Sequence, residues 1–393
     1  MPTTIGLVII AFAASLSIIL MDIAIPDLGI ATITKNTFLK IDFHDVVMEG
    51  ALSFLLFAGA LHVDINSLIK RRYTILSLAT IGVLISTIII GIGIYFIGQL
   101  IGLKISWPYA FVFGALISPT DPVAVMGLLK SMKNVPESFR VKIAGESLFN
   151  DGVGIVLFTI IVSIAVSSND YTSQTIDFVK IIKLFTLEVV GGILLGFVTG
   201  YIAFKAIKSI NDFSLEILIT LSLVMITYGL AVKFHLSGPL AVVVAGLFIG
   251  NFGTKLAMSK ETKDHVNNFW LIIDEILNAG LFLLIGLEVI ALTFTITNIT
   301  AAILAIPLVL FARLISVSIP ITFLKMRRDF EKGVIPVLTW GGMKGAISVA
   351  LALSLPDIEI REHILIMTYA VVIFSIVIQG LTMKSLVNKT ILK

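Results

Sequence analysis

The chain has 393 residues, 58% of them hydrophobic and 13% charged, with a formal net charge of +3 and a mean hydropathy of +1.07. That composition leaves too little polar surface to clothe a water-soluble domain of this size, so a soluble globular protein is excluded. A net charge this small carries no sign of a nucleic-acid partner, and the absence of cysteine removes thiol chemistry, disulfides and cysteine metal sites.

The sequence opens Met1-Pro2-Thr3-Thr4 with no basic n-region, so no cleavable signal is expected. Apolar runs of about 20 residues, enough to cross about 30 Å of hydrocarbon, then follow one another along the chain. Twelve are predicted, near 4–25, 45–68, 73–101, 107–129, 141–168, 179–205, 214–233, 236–250, 266–291, 299–324, 333–355 and 362–386. The class is therefore an all-α polytopic membrane protein forming a single transmembrane domain over 1–393. The longest polar connection is Pro26 to His44.

Basic residues set the orientation, because Lys and Arg are retained on the cytoplasmic side. With the N-terminus inside, nineteen fall in inside loops, among them Lys70, Arg71, Arg72, Arg327 and Arg328. Seven fall outside: Lys35, Lys40, Lys104, Lys180, Lys183, Lys233 and Arg361. Both termini are expected in the cytoplasm, and the alternation supports an even number of spans. The two remaining cations, Arg313 and Lys344, lie inside apolar segments.

The fourth segment carries Ser118-Pro119-Thr120-Asp121-Pro122. Neither proline has an amide hydrogen, so in a helix the carbonyls of Ala115 and Ser118 would lose their partners. Broken backbone at membrane depth is tolerated only where protein or a water-filled cavity satisfies it. Free carbonyls beside Thr120 and Asp121 would make an oxygen-rich site for a hard monovalent cation. The plainer alternative is a proline kink with Asp121 capping a helix end.

The fifth segment carries Glu146-Ser147-Leu148-Phe149-Asn150-Asp151. Residues four apart share a helix face. Glu146 therefore stacks with Asn150, and Ser147 with Asp151, on faces about 100° apart. An aspartate at bilayer depth costs about 2.5 kcal/mol or more, which an ion, a proton or a partner must offset. Ser147 and Asp151 are expected to hold the ion, while Glu146 and Asn150 brace neighbouring helices. The alternative is an acidic first turn that favours the helix dipole.

Arg313, in the tenth segment, needs a carboxylate; Glu146 and Asp151 are the natural choices, unless it snorkels to an interface. The eleventh segment, Trp340-Gly341-Gly342-Met343-Lys344-Gly345-Ala346, has three glycines that weaken a helix around a lysine. Two interrupted helices in corresponding halves are the mark of inverted-repeat transporters, with the substrate where they cross. Glu49, Glu188, Asp274, Glu275 and Glu288 are read as interfacial or structural acids. No metal-ligand spacing, phosphate loop or nucleophile elbow is present.

Phe149-Asn150-Asp151-Gly152, Thr120-Asp121-Pro122 and Trp340 to Ala346, together with Leu52 to Leu61, resemble the monovalent cation:proton antiporter-1 family. Bacterial sodium/proton antiporters of the NhaP type belong to it. The resemblance implies a 13-helix inverted-repeat fold with two broken crossing helices. It implies an ion-transporting core (here near 73–168 and 299–386) and dimerisation helices (near 1–68 and 179–291), acting as a homodimer in the cell membrane, the inner membrane of a bacterium. It implies electroneutral exchange of Na+, or of Li+ or K+, for H+, with no cofactor and no enzymatic step. Asp151 would be the exchanging carboxylate, with Ser147, Thr120 and Asp121 completing the site. Asn150 would hold the broken helix, and Glu146 would pair with Arg313.

The sequence departs from the family pattern in three places. Lys344 stands where many relatives have Arg, so the charge stays but the bidentate fork is lost. Ala58 stands where some relatives have Glu. Relatives carry a further helix before the stretch that begins at Pro2, which leaves twelve segments here against thirteen. A cation channel built on the same site is the alternative to antiport; a membrane-embedded enzyme lacks a nucleophile–base pair or metal ligands.

Overall fold

The structure is a computed structural model, and it describes residues 3–24, 46–132, 135–167, 178–288, 295–356 and 358–391. Among them every regular element is helical. The chain runs α1 (Thr3–Ala24), α2 (Leu52–Leu61), α3 (Ile65–Ser77), α4 (Val83–Ile101), α5 (Trp107–Ile117) and α6 (Val123–Ser131). It continues with α7 (Glu137–Ser167), α8 (Phe178–Lys208), α9 (Phe213–Lys233), α10 (Gly238–Phe248) and α11 (Lys260–Glu288). The last part is α12 (Ile296–Lys325), α13 (Val334–Trp340), α14 (Ala346–Leu353), α15 (Glu359–Phe374) and α16 (Gly380–Thr390). Single π-helical turns precede α2, follow α10 (Ile249–Gly253) and join α3 to α4 and α15 to α16.

The predicted segments overlap these helices, and the one placed at 45–68 runs past the end of α2 into α3. Eight continuous stretches among the described residues, including 65–101 and 137–167, are long and apolar enough to cross a membrane. This is a multi-pass membrane protein. The predicted connection 26–44, with Lys35 and Lys40, lies outside the described residues.

One predicted boundary moves. Lys70, Arg71 and Arg72 were expected in a loop, but they ride on α3, which begins at Ile65. Asp64 decides this: its side chain accepts the Ser67 amide at 2.9 Å and caps the helix. The turn from α2 to α3 therefore takes only three residues, 62–64. Asp212 and Thr295 cap α9 and α12 in the same way.

The helices pack in two groups. In the first, α4 lies against α5 and α12, α7 against α3 and α5, and α15 against α12 and α14. In the second, α8 lies against α9 and α10, α10 against α2, and α11 against α1, α2 and α9. Lipid gives no hydrophobic drive between helices, so close backbone approach must hold the second group. A Cβ on Gly196 would lie 2.1 Å from the Ala241 carbonyl oxygen, and one on Gly250 2.1 Å from that of Leu61. Trp270 on α11 is fully buried against Phe57 and donates Nε1–H to Thr220 Oγ1 at 3.0 Å. Between the groups lies a cavity of about 770 Å³.

Candidate functional site

The fourth and eleventh segments are both interrupted, and their interruptions touch. Helix α5 stops at Ile117 and α6 starts at Val123, with Pro119 and Pro122 in the gap. Helix α13 stops at Trp340 and α14 starts at Ala346. The Asp121 amide donates to the Met343 carbonyl at 2.8 Å, so the two gaps are joined by a main-chain bond. The glycines of the second gap do more than weaken a helix. A Cβ on Gly345 would sit 2.0 Å from Asp121 Oδ2, and one on Gly342 2.2 Å from Arg313 Nε.

Helix α7 supports the first gap through Thr120. Asn150 Nδ2 donates to Thr120 Oγ1 at 2.9 Å, and Asn150 Oδ1 accepts the Thr120 amide at 3.4 Å. Ser147 Oγ donates to the Thr120 carbonyl. Asn150 and Ser147 are each 1% exposed. With their donor and acceptor directions set, Thr120 Oγ1 and Ser147 Oγ keep lone pairs for a further partner. Asp151 is 6% exposed, lines the cavity and receives no hydrogen bond among the described residues. Asp121 is half-buried; its Oδ1 accepts the Val123 amide at 2.8 Å. Asp121 thus caps α6 and lines the cavity at once, so the two sequence alternatives are not exclusive.

The intramembrane cations take different partners. Arg313 Nη1 and Nη2 donate to Glu146 Oε1 and Oε2 at 2.5 and 3.0 Å, and Nη2 also donates to the Leu338 carbonyl at 3.0 Å. The pair ties α12 to α7 and to α13. Lys344 Nζ donates to the carbonyls of Ser118 and Pro119 at 2.8 and 3.1 Å. This corrects one expectation: the Ser118 carbonyl freed by Pro122 faces the Lys344 ammonium and is not left for a transported cation. An ammonium has three donors, which suits two carbonyls side by side. The Lys344 charge also acts on Asp151.

Two features escaped the sequence analysis. Lys142, near the start of α7, donates to Glu331 at 2.5 Å, just before α13, with Phe139 and Phe330 beside the ammonium. Partial burial pushes the Glu331 carboxyl up, but the hydrogen bond from Lys142 and its charge outweigh it and hold the group below its ordinary value. Asp274, read as a structural acid, lines the cavity with Asp121 and Asp151. Its repeat with Asn278, four residues on in the middle of a long helix, was the available signal.

Crossed, interrupted helices beside an acid-lined cavity in a multi-pass protein define the class as an ion-coupled membrane transporter. Residues 1–389 match the family described as sodium/hydrogen exchanger, transmembrane, and the chain belongs to that family. It is similar to the Na(+)/H(+) antiporter NhaP of Pseudomonas aeruginosa, 43% identical over 394 residues that span 99% of this chain and 91% of the relative. The Na(+)/H(+) antiporter NhaH of Halobacillus dabanensis is 37% identical over 351 residues, spanning 88% and 83%. The solved structure of the sodium proton antiporter MjNhaP1 from Methanocaldococcus jannaschii at pH 8 superposes with a TM-score of 0.70 over 98% of each chain. At 19% identity that likeness speaks for the fold.

Proposed function

We propose that this protein is a secondary antiporter that exchanges Na+ for H+, one for one, by alternating access, with Asp151 as the exchanging carboxylate. The observation that carries this is Asp151 itself, buried at the wall of the cavity with no hydrogen bond from any described residue. A buried carboxylate without a partner must bind a proton or a cation, and the two exclude each other. Competition for one group is enough for coupled exchange. Thr120, Ser147 and Asp121 supply further oxygens, which suit a hard cation. Asn150 braces Thr120, and Lys344 and the Glu146–Arg313 pair hold the crossing.

Asn150 beside Asp151 supports electroneutrality, because the neighbouring position cannot titrate. Asp121 keeps one ionisation state in this scheme, held by the Val123 amide. The cavity reaches His62 and Val63 and Met126 and Gly127, near the ends that lead into the basic stretches. With both termini cytoplasmic, it faces the cytoplasm. The first packing group is the moving core, and the second group is the scaffold through which two copies associate.

The test is proton movement in proteoliposomes carrying an imposed pH gradient, on addition of Na+, Li+ or K+. Wild-type protein should release the gradient with Na+, and Asp151→Asn should be inactive though folded. Sodium-driven proton movement by that variant would overturn the assignment of Asp151. A potential imposed with valinomycin should leave the Na+/H+ equilibrium unmoved; a shift would make a second proton travel, with Asp121 its first suspect. Sustained current through wild-type protein would mark a channel.

A further inference from the structure

Helix α11 presents a stripe to the cavity, including Leu271, Asp274, Asn278 and Phe282. Spacings of three and four residues put these on one helix face. Asp274 stands at the midpoint of Lys260–Glu288. At 1.5 Å per residue it is roughly 21 Å from either helix end. An acid at that depth must face water, a cation or a partner. Asn278 Nδ2 donates to Asp274 Oδ1 at 3.0 Å and to the Asp274 carbonyl oxygen at 2.8 Å, so one buried amide fixes the carboxylate on its helix. Glu275, the next residue on α11, lines the cavity as well, and α2 adds Leu55, Leu56, Ala58 and Gly59, which bring no charge.

The opposite wall holds Asp121 and Asp151, and the Asp274 charge acts on that of Asp121. Like charges facing one another across a cavity with low-dielectric walls repel strongly. A monovalent cation between them relieves both. Asp151, buried and without a hydrogen bond among the described residues, independently marks this cavity as one that takes such a ligand.

We propose that Asp274, oriented by Asn278, is a further cation-binding carboxylate of this cavity, on the wall facing the crossing, and that it takes the monovalent cation before Asp151 does. The proposal deepens the exchange reading above and rests on it. The ligand chemistry is that of a small alkali cation sharing one carboxylate oxygen of Asp274 with water. Asp274 need not exchange a proton, so its loss should weaken cation capture and leave turnover in place.

The experiment is initial-rate Na+/H+ exchange in proteoliposomes of full-length protein, with Na+ varied on the cavity side at constant ionic strength. Asp274→Asn should raise the apparent KM for Na+ about five- to tenfold with kcat within twofold of wild type. Asn278→Ala, which frees the carboxylate, should raise KM about two- to threefold and provides a second arm if Asp274→Asn fails to fold. An unchanged KM in the variants that fold overturns the proposal, as does a loss of kcat at constant KM. A KM increase that disappears when ionic strength is raised with N-methylglucamine chloride also overturns it, because screening abolishes steering at a distance. Absence of exchange in wild-type protein would instead defeat the functional reading on which the proposal rests.

Discussion

The two interruptions at the centre of the molecule are built from opposite materials. The first, 118–122, is made by two prolines and carries an acid. The second, 341–345, is made by glycines and carries a lysine. Proline removes donors and leaves carbonyls exposed, while glycine removes bulk and lets other groups come close. The two deficits answer each other. Lys344 from the glycine gap supplies donors to the Ser118 and Pro119 carbonyls. The bare Gly345 makes room for the Asp121 carboxylate. Each gap is held in part by the other, which gives a charge of each sign a role at membrane depth.

The sharpest way to break this complementarity is to add one methyl group. Gly345→Ala places a Cβ where Asp121 stands, 2.0 Å from Oδ2 and 2.6 Å from the Asp121 Cβ. Exchange is predicted to fall more than about 100-fold, since misplacement of about 1 Å can cost that much. Gly127→Ala, at a position with open space around it, should keep near wild-type rates. Equal activity of the two variants would show that the gaps do not depend on this contact.

A second prediction concerns what holds the pair of gaps in place. Arg313 joins α12 to Glu146 on α7 and to the Leu338 carbonyl on α13. Removing one partner of a buried ion pair costs about 3–5 kcal/mol. Arg313→Ala is predicted to lower thermal stability in detergent by that order. Glu146→Ala added to it should not bring a second full penalty. Additive losses in the double variant would mean that the two residues act separately.

The smallest expected effect lies at the outer end of the second gap. Lys142 and Glu331 tie the start of α7 to the chain just before α13. The Glu331 carboxyl is held below its ordinary 4.5. A depressed pKa stabilises the folded state above the unfolded value and loses that contribution as pH falls through the folded one. Glu331→Gln should therefore be slightly less stable than wild type at neutral pH. The difference should shrink once pH falls below about 4.5 and vanish below the folded value. A difference that persists at low pH would assign the effect to packing against Phe330 and not to charge. Because Glu331 is partly exposed, solvent screens the pair and the shift should be small.

Much of this organisation was legible in the linear chain. Hydrophobic runs of the right length mark the helices, because in lipid the backbone must satisfy itself locally. Pro119, Pro122 and the glycines around Lys344 mark the interruptions for the same local reason. Spacing of four along α7 assigns Ser147 with Asp151 and Glu146 with Asn150 to their faces, since helix geometry is local too. Partnerships across the fold were not legible. The sequence left Arg313 a choice between Glu146 and Asp151; the fold brought Arg313 of α12 to Glu146 of α7 and left Asp151 without a hydrogen bond from any described residue. Lys344 met two carbonyls that no local pattern assigned to it, because the crossing brings the ends of two half-helices together. Asp274 looked like any acid on a long helix until the fold set it across a cavity from Asp121. Local pattern thus determined which elements form and which residues are chemically conspicuous. Tertiary packing alone decided which charges face one another, because Coulomb energy and steric exclusion depend on separation in space and not along the chain.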